Sequence, residues 1–312
     1  MTMLALPNTE LHALVPLLRE KGFYEHADAR PIDWAAYTQA QIDDVAGTLD
    51  FIRDRVDETS YLEMPGKVGR PLTDPKLLAK AILLAEFLGS PERPAQGWTR
   101  VLGPAVGIRE PIDDRVIGEA YDNIEVLHIL KQVFDRNKTS DGRFCGDGSG
   151  LETTRKQNYE SEKKTGAYLT SIVDSREVVQ AFDASGEQEC RAMHTLVKLV
   201  HGESLRLDAG FIDRDLAKKI VERGMTPFIF PKKNTVLNGH SSWKHMYLEL
   251  LTDVMAWLTE YHQRSHSESF HSSLKRKNPS IRKRRPTAQL SQITARIILH
   301  NRRRIDYFSR LE

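Results

Sequence analysis

Long apolar runs are missing from this 312-residue sequence. No stretch approaches the roughly 20 consecutive apolar residues that a bilayer-crossing helix needs, so a membrane protein is not expected. The first residues carry Glu10 and His12 and lack both a basic leader and a small-residue cleavage site. No secretory signal is read there. Cysteine is scarce, with only Cys145 and Cys190. Two lone cysteines give neither a disulfide framework nor a zinc pattern, and a reducing cytoplasm is the expected compartment. Internal repeats and low-complexity segments are also absent. What remains is ordinary for a globular chain: hydrophobic residues make up 40% and charged residues 28%. The length suffices for one large domain or two modest ones, each with its own core.

The formal net charge of +2 conceals an asymmetry. From Tyr261 to Glu312 there are 13 Lys/Arg against 3 Asp/Glu, a net of +10. Residues 1–260 hold the other 32 Lys/Arg and 40 Asp/Glu, a net of −8. A basic C-terminal segment on an acidic body suits a polyanion partner, although a solvated basic tail has the same composition.

Residues 1–140 read as helical, with Val45, Leu49, Ile52 and Val56 at helical spacing. A Pro- and Gly-containing linker is expected over 64–72. Asp74-Pro75 reads as a cap and first position of a buried helix reaching about Leu88. Further helices are expected around Trp98–Leu102 and Asp122–Phe134. A helix-turn-helix within 74–121 and a plain structural bundle fit that stretch equally. From Gly142 the pattern turns to strands. Arg143–Asp147 reads as a short strand ending in Asp-Gly, and Tyr168–Val173 and Val178–Phe182 as a hairpin about residues 174–177. Leu205–Asp208 and Thr226–Pro231 read as further strands, interleaved with helices over Ala192–Leu199 and Asp213–Arg223. One long helix is expected from about Trp243 to Lys275. This order suits an α/β architecture, a mixed sheet flanked by helices, behind an all-helical N-terminal region.

The chemistry concentrates in three places. On the expected long helix, Tyr261, Arg264, Glu268 and Lys275 fall within a sector of roughly 60° at 3.6 residues per turn. Arg264 and Lys275 suit phosphate oxygens, the first as a fork and the second as a point charge. Arg264 and Glu268 would also make an ordinary i,i+4 surface pair. Asp147 and Asp208 each follow a short apolar run and precede small residues, Gly148-Ser149 and Ala209-Gly210. Either alone is a common turn; both together with Glu268 would form a hard oxygen site suited to Mg²⁺. His262 and His266 have a spacing that can bind Zn²⁺, but no cysteine or third partner is evident.

Taken in order, these segments resemble the DDE transposases of prokaryotic insertion sequences. Tyr261-His-Gln-Arg264-Ser-His-Ser-Glu268-Ser-Phe-His-Ser-Ser-Leu-Lys275 matches the pattern Tyr-x2-Arg-x3-Glu-x6-Lys at every fixed position. Gly146-Asp147-Gly-Ser-Gly150 resembles the first-aspartate motif. Asp208-Ala-Gly-Phe211 resembles the second, with Phe in place of the usual Tyr. Thr226–Asn234 resembles the strand and basic turn that follow. The likeness covers residues 142–277, about half the chain.

The resemblance implies a ribonuclease-H-like core, expected over 141–278; the helical region over 1–140 is a candidate for DNA-end binding, and a basic helical segment is expected over 279–312. It implies a transposase that cleaves transposon ends and transfers a 3′-hydroxyl into target DNA. Asp147, Asp208 and Glu268 would be the catalytic metal ligands for two Mg²⁺ ions, roughly 3.5–4 Å apart, with Mn²⁺ able to substitute. Tyr261, Arg264 and Lys275 would hold DNA phosphates. Arg282, Lys283, Arg284 and Arg285 form a further DNA-binding cluster directly after the catalytic helix, and Arg302–Arg304 extend the basic surface. A homodimer on DNA, without membrane association, is expected. The aspartates are 61 residues apart and Asp208 and Glu268 are 60 apart, which leaves no room for a large insertion before the glutamate. A repurposed DNA-binding descendant and a nuclease without strand transfer share the same motifs.

Overall fold

The computed structural model describes residues 8–22, 32–61, 73–153, 167–235 and 240–312. The linker expected at 64–72 lies outside them, as does the stretch 155–164, whose basic residues suit DNA and whose Glu160 and Glu162 suit a plain solvated loop equally. Seven helices come first: α1 (Asn8–Glu20), α2 (Trp34–Ile42), α3 (Asp44–Asp57), α4 (Pro75–Phe87), α5 (Glu92–Val101), α6 (Asp114–Ala120) and α7 (Ile124–Arg136). Their starts are written in the sequence. The Asp74 carboxylate accepts from the Lys76 amide at 2.8 Å, with Pro75 pre-set at the first helical position. Asn123 accepts from the Glu125 amide at 2.8 Å. Helix α4 is apolar nearly all round and lies in the core, taking Lys80 and Glu86 inside with it.

Five strands follow: β1 (Arg143–Leu151), β2 (Ala167–Asp174), β3 (Val179–Asp183), β4 (Ser204–Leu207) and β5 (Thr226–Ile229). They form one sheet in the order β3-β2-β1-β4-β5. β1, β2 and β3 pair antiparallel, whereas β4 joins β1 and β5 joins β4 in parallel. The β2–β3 turn is held by Asp174, whose Oδ1 accepts from the amides of Arg176 and Val178 at 3.0 and 2.8 Å. Glu177 completes it in the left-handed region, at φ 64°. The parallel connections pass through α8 (Glu189–Leu196) and α9 (Arg214–Glu222).

Strand alternation sends side chains to two cores. Phe144, Ile172, Leu205 and Leu207 meet α8, α9 and Trp243 on one face. Cys145, Leu169, Val173 and Val179 meet Phe270 and Leu274 on the other, in a cluster that also contains α4, α7 and the last helix.

The expected single helix over 243–275 is three: α10 (Ser241–Thr252), α11 (Val254–His262) and α12 (Ser265–Lys277). Asp253 divides the first two by turning its carboxylate to the Ala256 amide at 2.9 Å, so that it caps a new helix. Gln263 and Arg264 divide the next two. There the amides of Gln263, Arg264, His266 and Ser267 all reach back three residues.

Helix α13 (Pro286–Ser309) closes the fold against α4 and α7. Its arginines do not extend an outer basic surface, as composition suggested. Arg302 and Arg303 both pair with Asp44 of α3, at 2.5 and 3.0 Å, and Arg304 pairs with Glu177 at 3.4 Å.

Candidate active site

Strand register brings the two aspartates together. The parallel ladder of β1 and β4 ends at the pair Gly146–Leu207. Asp147 and Asp208 are the next residue on each chain. Asp147 does not close its strand, as expected from Asp-Gly; β1 runs on to Leu151 because β2 continues beside it, opposing Asp147 with Ser171. Asp147 therefore sits mid-strand, where one edge of β1 loses its partner. Asp208 lies where the chain leaves β4 for a 3₁₀ turn over Ala209–Phe211.

Asp147 shares its sheet face with Cys145, whose thiol meets the Gln263 carbonyl at 3.1 Å. Helix α12 crosses that face and carries Glu268 in its first turn. Arg264 Nη1 holds the Glu268 carboxylate at 2.5 Å. Lys275 Nζ donates to Ser149 Oγ on β1 at 2.6 Å. Arg264, Glu268 and Lys275 thus front β1. Tyr261 does not share their surface: it is buried at the end of α11, stacked on Trp257 with ring centroids 5.2 Å apart. It offers its ring to Arg264, whose guanidinium lies 5.7 Å from the centroid.

The charges describe one environment. Burial pushes the Asp147 carboxyl up to about 6, aided by Glu189 and Glu268 and opposed by the Gly148 amide and by Arg264. Burial pushes the Tyr261 phenol up to about 12, with Arg264 opposing and Asp208 and Glu268 adding to the rise. Arg264 is held above its ordinary value, against its burial, by Tyr261, Glu268 and Asp208. All three carboxylates therefore act around one guanidinium. Below them His271 is buried, its Nε2 3.2 Å from Ser171 Oγ, and burial and then Lys275 lower it to about 4. It is neutral at physiological pH.

Glu189, in the first turn of α8, escaped the sequence reading. Its carboxylate lies over Gly148 on the opposite sheet face, where any Cβ would run into it. It is also the first charged group to raise Asp147. Nothing in Gly186-Glu-Gln-Glu189 distinguishes it from an ordinary helix start.

The donor set of Asp147, Asp208 and Glu268 is all carboxylate oxygen, which fits a hard divalent cation. The three are not drawn to a common point: among the described residues only Cys190, His194 and Asp213 bring three such ligand atoms within 4.8 Å of one another. Glu268 is turned instead to Arg264.

Of the basic run after α12, Arg282 pairs with Glu86 at 2.6 Å and Lys283 with Glu92, its ammonium lying 3.6 Å from the Tyr121 ring centroid. These two fasten the segment to the helical region. Arg284 and Arg285 are exposed, and Arg285 reaches Asp122 at 3.2 Å.

A raised carboxyl value has a stability consequence. Asp147 binds its proton more tightly in the folded than in the unfolded chain. Its contribution is favourable below pH about 4 and is lost as pH rises through about 6. Without metal, Asp147→Asn is expected to be more stable than the parent at pH 7 by about 1–2 kcal/mol, allowing for partial solvent access. The gap should close by pH 4. Urea unfolding at both pH values measures it; equal stability at pH 7 would remove the buried charge from the account.

The family model of the transposase DDE domain matches residues 126–302, more than half of the chain. No curated protein and no solved structure shows a match. The sheet order and flanking helices are those of the ribonuclease-H-like α/β fold of that domain. No helix among the described residues is long and apolar enough to cross a membrane. Members of the family are DNA-binding enzymes that cut and rejoin DNA with divalent metal ions. With two aspartates just beyond the end of the β1–β4 ladder and a glutamate in the first turn of α12, and with this match, the chain belongs to the DDE transposases of insertion-sequence type.

Proposed function

We propose that this transposase cleaves transposon ends and joins the 3′-hydroxyl to target DNA at a centre formed by Asp147, Asp208 and Glu268. The observation that carries this reading is the register: the first residues beyond the parallel ladder of β1 and β4 are both aspartates, beneath the helix turn bearing Glu268. These carboxylates would hold two Mg²⁺ ions, replaceable by Mn²⁺, which supply Lewis-acid activation of the attacking oxygen and neutralise charge on the scissile phosphate. The chain's own residues do the rest. Arg264 presents a fork and Lys275 a point charge to phosphate oxygens beside Asp147. Tyr261 acts from below, its ring supporting the Arg264 guanidinium. Arg284 and Arg285 meet the DNA backbone further out, while Arg282 and Lys283 fix the segment that carries them. Two copies act on paired ends, and the site of action is the cytoplasmic nucleoid.

The test is plasmid excision with the coding region's native flanking DNA and Mg²⁺, comparing the parent with Asp208→Ala. Excision and reinsertion by the parent alone are expected. Cleavage without joined products would make the protein a nuclease. Equal excision by both proteins would remove Asp208 from the centre.

A further inference from the structure

On the face of the sheet opposite α12, a second group of ligating side chains meets. Cys190 and His194 are four residues apart in α8 and so share one helix face. Asp213 caps α9 opposite them. Its Oδ1 accepts from the amides of Asp215 and Leu216 at 2.8 and 3.3 Å, which fixes the carboxylate and leaves Oδ2 turned to α8. Asp213 Oδ2 lies 3.0 Å from His194 Nε2 and 4.0 Å from Cys190 Sγ. A tetrahedral zinc ion, with bonds of about 2.0–2.3 Å, sets its ligand atoms about 3.3–3.8 Å apart. The two separations from Asp213 bracket that spacing, and all three ligand atoms lie within 4.8 Å of one another.

We infer that Cys190, His194 and Asp213 form a transition-metal site, of the Zn²⁺ class, with three protein ligands and one open position. A thiolate and a carboxylate cancel the charge of a divalent ion, and the imidazole adds a neutral donor. Sulfur and imidazole select Zn²⁺ over Mg²⁺, so this site is chemically separate from the carboxylate centre and does not rest on its assignment. Its position gives it a role. Cys190 follows Glu189, which lies over Gly148, and Asp213 follows Asp208 by five residues. A metal here fastens together the two chain segments that flank the paired aspartates.

One contact opposes binding and sharpens the test. Lys219 Nζ lies 2.9 Å from His194 Nδ1. In that arrangement Nδ1 accepts and Nε2 carries the proton that it shares with Asp213. Metal at Nε2 moves the imidazole proton to Nδ1, and the ammonium must then withdraw. Removing the ammonium should therefore tighten the site.

The experiment uses the full, metal-stripped chain and Co²⁺ as an optical probe for the zinc class. The expected result is one equivalent of Co²⁺ bound with a thiolate-to-cobalt charge-transfer band, displaced by Zn²⁺ and unaffected by excess Mg²⁺. Cys190→Ser should abolish the band, whereas Cys145→Ser and Asp208→Ala should retain it. His194→Ala should weaken binding at least about tenfold, and Lys219→Met should strengthen it. Zn²⁺ should raise the melting midpoint of the parent and leave that of Cys190→Ser unmoved, a readout that holds even if the variant is less stable. No charge-transfer band in the parent, or a band that survives Cys190→Ser, would overturn the assignment.

Discussion

Glu86→Ala is expected to lower the stability of the fold by about 3–5 kcal/mol, the scale on which loss of one partner leaves a buried charge uncompensated. Glu86 is fully buried in α4. Its two oxygens collect Arg296 Nε at 2.7 Å, Arg282 Nη2 at 2.6 Å, Gln292 Nε2 at 2.9 Å and the Tyr121 hydroxyl at 2.7 Å. Four donors from three distant parts of the chain thus converge on one carboxylate. Arg296 is itself only 3% exposed, so its Nε loses its carboxylate partner in a largely buried setting when Glu86 is truncated. Glu86→Gln keeps the shape but loses the charge and should fall between the parent and the alanine variant. Urea unfolding of the three proteins decides. A loss below about 1 kcal/mol for Glu86→Ala would mean that the cluster is no stronger than an exposed pair.

Glu268→Gln is expected to bind transposon-end DNA at least as well as the parent and to cut it at least about 100-fold more slowly, the scale on which removal of one preorganised charge-stabilising group acts. The side chain is 53% exposed and in the first turn of α12, so neutralising it costs the fold little. The change releases Arg264 from its ion pair, and a freed guanidinium favours phosphate. Binding and catalysis should therefore separate: an unchanged or lower dissociation constant in gel shift, with little product in a single-turnover cleavage assay. Cleavage within tenfold of the parent would take Glu268 out of the reaction, and loss of DNA binding would make it a structural residue.

Much of this arrangement was legible along the chain because its signals are local. Asp74-Pro75 announces a helix start, residues 174–177 a hairpin, and the spacing Tyr261, Arg264, Glu268, Lys275 a recognisable constellation. What local reading missed depends on partners far away in sequence. No proline or glycine marks the breaks at Asp253 and at Gln263–Arg264, and the sequence there reads as continuous helix. The capping carboxylate and the three-residue amide turns become visible only with the chain folded. The basic residues after α12 illustrate the same limit. Arg282 lies 196 residues from Glu86, and Arg302 lies 258 from Asp44. Composition counts their charges but cannot show that acids in the N-terminal helices already neutralise them. Glu189 was hidden for a related reason: its closeness to Asp147 is a property of the sheet, across which α8 and β1 meet.

The closure of α13 over α4 and α7 also fixes an order of events during synthesis. α4 leaves the ribosome some 200 residues before Arg296 does, carrying a carboxylate whose arginine partners have not yet been made. Until the last helix emerges, the apolar face of α7 and the Glu86 pocket lack their cover, so the helical region cannot reach its final packing on the nascent chain. The β1–β4 ladder that aligns Asp147 with Asp208 can form earlier, but the cluster behind it includes Ile293, Ile297 and Ile298 of α13. A chain cut short before α13 is thus a different molecule from a transposase lacking a tail: it has its aspartates but not the wall against which their sheet is packed.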